Sequence, residues 1–387
     1  MTVKITWAEA GARRLERQFL ATSGAGPGTA PAAVVSAMCG AHAQVLSAAE
    51  VSVGVRTEGV TRSDVRAALW EDRSLVKTHG PRGTVHLLPA RDLPFWSAAL
   101  TAVPSGAGPF PPDVRLSEEQ SRQVVTAIGD ALDGTCLTVD ELGEEVVART
   151  GPWAGDLVMP AFQGLWPRWR QVMHRAGQSG ALCFGPNRGR KVTYTRPPRF
   201  TPLPPREALA TLVRHYLHAY GPAAPSHFAK WLAAPNGWAE GLFATLAADG
   251  EVEEVLFEGA SAWVAAGDTA FPDEPVRGVR LLPYFDAYVI ATQPRELLFP
   301  GAAYRRALAG GQAGNYPVLL VDGVVAGVWH QRRRGRRMTV TVEPLGRLTA
   351  RQERELRERA VRVGEVLEAA PELVELVIGE VTTGPHA

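Results

Sequence analysis

Cysteine is scarce in this sequence. Cys39, Cys136 and Cys183 are the only three in 387 residues, far apart and never spaced as CxxC. That excludes a disulfide framework, argues against a cysteine-based zinc site, and fits a reducing cytosol. Lysine is nearly as scarce, limited to Lys4, Lys77, Lys191 and Lys230, so the cationic side chains are almost all arginine. A surplus of charge is missing too: the net charge is +1, and the chain as a whole does not advertise a polyanionic partner. No run of 18 apolar residues occurs, and the opening stretch MTVKITWAEAGARRLERQFL has no apolar signal-peptide core. The expectation is a cytoplasmic protein, neither exported nor membrane-spanning. Phosphate-binding glycine loops, metal-ligand clusters and nucleophile elbows are also missing, so no cofactor and no metal are expected.

What is present is an ordinary globular composition, 45% hydrophobic and 21% charged, long enough for two to four modules. Pro/Gly-rich breaks fall at 22–31, 104–113, 196–207 and 271–275. Between them the same kind of unit recurs three times: two or three helices, then a β-hairpin. In the first, Pro31 opens a helix that Gly40 stops, and Ser47 with Glu50 reads as a capping box starting a helix to about Glu58. Thr61 with Asp64 starts another helix, and VKTHGPRGTVHLL is a hairpin around Pro-Arg-Gly. The second unit has helices in SRQVVTAIGDALDG, after the cap pair Thr138 and Glu141, and around 159–177, with strands in GALCFGPNRGRKVTYTR. The third has a helix in EALATLVRHYLHAYG, another capped by Ser226, and a hairpin in VEEVLFEGASAWVAA. VRLLPYFDAYVI and the stretch from Tyr316 to Leu345 are strand-rich, followed by an amphipathic helix and a closing strand in ELVELVIGE.

The fold class expected is α+β, mainly helical: tandem winged-helix units followed by a β-rich C-terminal region. The domains expected are 1–115, 116–200, 205–275 and 276–387, the last holding an arginine hairpin and the C-terminal helix.

Within the first unit, CGAHAQVLSAAEV sets His42 and Gln44 one alanine apart. On a helix, residues two apart diverge by about 200°, whereas an extended segment puts both on one side. Gly40 ends one helix and the next starts near Ser47, so AHAQVL is an extended connector. His42 and Gln44 can then face one cleft while Ala43 packs inward. Alternatively, such side chains only satisfy nearby backbone groups. A second concentration is WHQRRRGRRMTVTV, where Arg332, Arg333, Arg334, Arg336 and Arg337 fall within six positions around Gly335. Their charges are expected to gather at the hairpin tip and to be neutralised by phosphates, or else to be a solvated loop. His86 is read as a buried structural histidine. His215 and His218 lack the acidic or cysteine partners of a metal site, and Trp153, Trp166 and Trp169 are read as core.

The stretch HAQVLSAAEVSVGVRTEGVTRSDVRAALWEDRSLVKTHGPRGTVHLLPARDL closely resembles the N-terminal unit of the AlkZ-like DNA glycosylases, a winged-helix family. LVRHYLHAYGPAAPSHFAKWL, LLPYFDAY and LVDGVVAGVWHQRRRGRRMTVTVEPL are similar to later blocks of that family, in order, from about residue 10 to 350. The resemblance implies a concave DNA-binding surface and hydrolysis of the N-glycosidic bond of alkylated purines, with interstrand crosslinks unhooked by some members. His42-Ala43-Gln44 stands where the family pattern is Gln-x-Gln. The His-bearing form resembles a branch associated with producers of DNA-alkylating antibiotics, which implies self-resistance.

An N7-alkylated purine is already cationic and leaves without a general acid, so the remaining work is to position water and stabilise the sugar cation. His42 and Gln44 suit the first task. Asp286, in PYFDAY, is either a negative charge facing the sugar or a structural carboxylate bonded to a loop. With four lysines and none in the motif, a Schiff-base mechanism finds no support. The expectation is a monofunctional, nucleoid-associated, monomeric glycosylase acting on double-stranded DNA with bulky N7-alkylpurines, without an obligate protein partner or membrane contact. The alternative is a non-catalytic DNA-binding protein, a regulator or drug-sequestering resistance factor on the same fold.

Overall fold

The computed structural model describes residues 2–21, 24–104, 110–161, 164–308, 311–335 and 337–382. It is mixed α and β, with helices predominating and small sheets of two to five strands. The chain divides into two compact units, one of residues 1–68, 213–231 and 236–387, the other of 69–212 and 232–235. No helix among the described residues is long and apolar enough to cross a membrane. The order of helices followed by a hairpin recurs along the chain as expected.

The first unit is organised by a five-stranded sheet of Val279–Leu282, Val318–Val321, Val324–Arg334, Arg337–Pro344 and Val374–Ile378, in that spatial order. All neighbours are antiparallel except the last pair, which is parallel. Because side chains alternate along a strand, Val279, Leu281, Leu319, Trp329, Met338 and Val340 share a core with the helix Ala350–Val366. Leu282, Leu320, Val325 and Val328 instead pack with Tyr288, Phe299 and Leu15. Asp322 and Gly323 make the turn between the second and third strands with positive φ at both, the conformation that Asp-Gly favours.

The helix Leu46–Gly54 docks on this layer through Val51 and through a close approach at its end. A Cβ on Gly54 would stand 2.5 Å from both methyls of Val366. Gly54→Ala is therefore expected to destabilise the protein by about 1–3 kcal/mol through overpacking; a denaturant melt with an unchanged midpoint would contradict this. The same unit holds a helix–hairpin module. Its aromatic core is Tyr216, Tyr220, Phe228, Trp231 and Phe243, and its hairpin Val252–Phe257/Ala260–Ala265 gains Lys4–Ile5 as a parallel third strand.

The second unit contains the hairpin Leu75–His79/Val85–Pro89 and a module of helices Glu118–Ala131, Val139–Thr150 and Met173–Gln178. A small sheet, ordered Leu137–Thr138, Thr193–Thr195, Cys183–Phe184, completes this module. Val124, Ile128, Leu142, Val146 and Trp169 form its core. Thr138 and Glu141 make the expected capping box, and Ser117 with Gln120 makes a second one.

Three expectations are corrected. The helix around 159–177 is instead the hairpin Leu157–Ala161/Gly164–Pro167, then a 3-10 turn, with a true helix only from Met173. Pro160 and Pro167 lack the N–H that a helix interior needs. Trp166 is consequently on the exposed hairpin, under the Arg170 guanidinium at 3.9 Å, rather than in the core. Ser226 lies inside the helix Pro225–Leu232, and the residue before that helix, Ala224, donates its N–H to His227 Nδ1.

Candidate active site and basic hairpin

The helix Pro31–Ala37 ends where Cys39 and Gly40 both take positive φ, and Gly40 N–H closes onto the Val35 carbonyl at 3.0 Å. This reversal feeds the chain into the two-residue strand Ala41–His42, as Gly40 predicted. The buried Tyr220 hydroxyl donates to the Met38 carbonyl at 2.5 Å and fixes the reversal from outside the segment. Ala43 is fully buried, as expected for the packing side of an extended connector. Gln44 and Val45 are exposed, and the next helix starts at Leu46.

The capping box expected from Ser47 and Glu50 is not made. The N-cap is Val45, and the Glu50 carboxylate is buried against Arg66 Nε at 2.6 Å, with Arg62 at 3.5 Å. That ion pair is the better use of a buried carboxylate than an exposed helix end. The helix also stops at Gly54 rather than near Glu58. The next helix does carry its expected start: Thr61 and Asp64 bond reciprocally, Thr61 N–H to Oδ2 at 2.7 Å.

His42 is 7% exposed, and its ring stacks on Phe285 with centroids 4.7 Å apart and 29° between planes. Phe285 sits at φ +55, a left-handed conformation that a bulky residue adopts only when its surroundings hold it there. Its N–H donates to the Gly314 carbonyl at 2.8 Å, and Gly314 approaches so closely that a Cβ there would come 3.2 Å from the Phe285 Cα.

The next residue, Asp286, is 1% exposed and its carboxylate is fully engaged. Oδ2 accepts from Ser52 Oγ at 2.6 Å and Arg56 Nη1 at 2.7 Å; Oδ1 accepts from Arg56 Nη2 at 2.8 Å and the Tyr288 N–H at 3.0 Å. The last bond caps the short helix Ala287–Ala291, so the second half of the stretch expected to be strand is helical. Of the two roles expected for Asp286, these are the contacts of a structural carboxylate. Its charge is balanced by a bidentate Arg56 that is itself wholly buried. Ser52 and Arg56, absent from the sequence reading, are thereby part of the site. Their signal was available: two polar residues one helical turn apart inside VSVGVR.

The arginine cluster lies on the hairpin Val324–Arg334/Arg337–Pro344, and its register corrects the expectation of charges gathered only at the tip. His330 pairs with Thr341, Arg332 with Thr339 and Arg334 with Arg337, and these six side chains, with Thr382, line one groove of about 610 Å³. The opposite face carries Gln331 paired with Val340, and Arg333 paired with Met338. Val340 and Met338 are core, and Arg333 folds back, Nε donating to the Gly335 carbonyl at 3.0 Å and Nη1 to Leu367 at 3.1 Å. Arg332, Arg334 and Arg337 are exposed and form no salt bridge among the described residues. Burial, then the neighbouring Arg332, lowers His330 below the ordinary imidazole pKa, so it adds no charge near neutrality. Arg336 lies outside the described residues. His86 is buried, with Nδ1 2.9 Å from the Thr84 carbonyl.

A family described as DNA glycosylase AlkZ-like matches residues 35–366, a span that includes the histidine connector, the Phe285–Asp286 loop and the basic hairpin. An interstrand DNA cross-link repair glycosylase from Streptomyces sahachiroi is 33% identical over 342 residues, covering 84% of this chain and 88% of that protein. The solved structure of the Streptomyces sahachiroi DNA glycosylase AlkZ superposes with a TM-score of 0.76 at 27% identity, over 98% of this chain and 100% of that one. The protein is thus an enzyme, a DNA glycosylase, rather than a binding module alone. Within that class the chain belongs to the AlkZ-like DNA glycosylase family.

Proposed function

We propose that the protein hydrolyses the N-glycosidic bond of bulky N7-alkylated purines in duplex DNA, leaving an intact abasic site. The observation that carries this reading is His42, set on an extended connector and stacked on a conformationally fixed Phe285. A ring held in this way can orient a water molecule with little loss of freedom in the transition state. In this reading His42 accepts the water proton as oxygen attacks the anomeric carbon, and the Gln44 carbonyl holds the same water. The bond electrons leave with the cationic base, which needs no proton. Asp286 is a positioning residue, acting through Arg56, Ser52 and the backbone of Phe285. The relative's role in cross-link repair extends the proposed substrates to interstrand crosslinks, and self-resistance to a DNA-alkylating antibiotic is the setting that the His-x-Gln form suggests.

The test is base release. Duplexes bearing N7-methylguanine or a bulky N7-guanine adduct are incubated with the protein and then treated with alkali. Strand breaks at the adduct are expected, and tight binding without breaks would refute the reading.

DNA contact in this proposal runs through the exposed face of the hairpin. Arg332→Gln, Arg334→Gln and Arg337→Gln should each lower the slope of log affinity against log salt by about 0.9, the value of one phosphate contact. Arg333→Gln should leave the slope unchanged, because its guanidinium is bonded to the protein's own carbonyls. Fluorescence anisotropy on undamaged duplex across a salt series reads both results. Equal slopes in all four variants would remove the hairpin from the interface.

A further inference from the structure

The first unit contains a second feature that the base-release chemistry does not use. A pocket of about 220 Å³ is lined by four arginines, Arg56, Arg280, Arg359 and Arg362, with Glu58 and an apolar shelf that includes Phe19. Neither His42 nor Phe285 lines it.

The donors of these arginines are unequally occupied. Arg56 commits both Nη atoms to Asp286. Arg362 pairs with Glu365 at 3.0 Å and bonds the carbonyls of Gly54, Thr57 and Val60. Arg280 uses Nε on the Leu20 carbonyl and Nη1 on that of Arg277, leaving Nη2 buried and without a partner among the described residues. Among the described residues Arg359 uses only Nε, on the Val279 carbonyl at 3.2 Å. Neither Arg280 nor Arg359 forms a salt bridge among the described residues.

The nearby carboxylates attract Arg280 but are bonded elsewhere. Glu58 is exposed and bonds none of the four. Glu355 is taken by Arg351 Nε at 2.8 Å and the Val279 N–H at 3.1 Å, and Asp322 by the Gly278 N–H at 2.7 Å. Burial, reinforced by repulsion from Arg359, lowers Arg280 to about 10, still protonated near neutrality. Two guanidinium groups therefore line one small pocket without a direct ion-pair partner, their charges offset only in part by Glu355 and Asp322, an arrangement that an anion relieves.

We propose that this pocket binds a phosphoryl anion, held by the Arg359 guanidinium and attracted by the buried Arg280 charge beside it. Guanidinium charges from a strand and from a helix suit a multiply charged tetrahedral anion, whereas a planar carboxylate is matched by a single guanidinium fork. The same chemistry is offered by a backbone phosphate of bound DNA and by free phosphate or a nucleotide phosphate. Arg56 connects the pocket to the histidine site, since it lines one and grips the carboxylate next to Phe285 in the other.

The test uses Arg359→Gln, which alters a half-buried side chain on the helix Ala350–Val366, with exposed Arg357→Gln as the control. Inorganic phosphate is titrated calorimetrically into the full chain at constant ionic strength, and duplex affinity is measured across a salt series. If the anion is free in solution, wild type and Arg357→Gln bind phosphate and Arg359→Gln binds at least about tenfold more weakly. If the anion is a DNA phosphate, Arg359→Gln lowers the salt slope by about 0.9 while Arg357→Gln does not. Arg359→Lys, which keeps the charge, should recover part of either effect. Arg359→Gln that matches wild type in both phosphate binding and salt slope overturns the proposal.

Discussion

His42→Ala is expected to slow single-turnover base release by about 10²–10⁴-fold, the usual contribution of a positioned base, with duplex affinity unchanged. Gln44→Ala should lie in the lower part of that range, because it removes one contact to the water and leaves the proton acceptor. The informative companion is His42→Gln, which places glutamines at both 42 and 44. A carboxamide can hold water but is a far poorer proton acceptor, so this variant should release base faster than His42→Ala and slower than wild type. The ring's stack on Phe285 makes a second prediction inseparable from the first: Phe285→Ala should depress the rate while leaving every polar group of the motif in place. If His42→Ala released base at the wild-type rate, the connector would be scaffolding and the water would have to be held elsewhere.

Asp286→Ala should destabilise the protein by about 3–5 kcal/mol, the cost of leaving a fully buried arginine without its counter-ion. The same substitution strands Ser52 Oγ and uncaps the helix Ala287–Ala291. Asp286→Asn keeps the shape and part of the bonding and should cost less. A double variant that replaces Asp286 and Arg56 with apolar residues should recover much of the loss, since no charge is then left buried. Base release should stay depressed in that double variant, because Phe285 is no longer held by the network that begins at Asp286. Denaturant melts and single-turnover rates on the same preparations separate the two effects. Wild-type stability in Asp286→Ala, together with lost base release, would instead mean that the carboxylate acts on the sugar.

Legibility in the sequence followed the range of the interactions. Thr61 with Asp64, Thr138 with Glu141, Gly40 and the Asp322-Gly323 turn act within a few residues, and each does in the structure what its local chemistry indicates. Ser47 with Glu50 had the same local pattern but lost Glu50 to Arg66, a partner sixteen residues away. The apolar spacing at 157–167 suits either a helix or a hairpin, and only Pro160 and Pro167 argue against the helix. For the site, the connector could be found because it is local. Phe285, Ser52 and Arg56 could not be joined to it, because the Ser52–Asp286 bond spans 234 positions and no period in the sequence announces such a contact.

The basic hairpin has a consequence for how such a protein can be altered. Its cationic face and its core face alternate residue by residue, Arg332 and Arg334 outward against Met338 and Val340 inward. Deleting one residue from within the first strand would turn Arg332 and Arg334 toward the core, and deleting one from within the second would present Met338 and Val340 to water. Lengths that change by two residues on each strand keep the alternation and move the tip by roughly 7 Å per step. The reach of this hairpin is therefore tuned without turning its faces in such increments, each adding two paired rungs before the turn at Gly335.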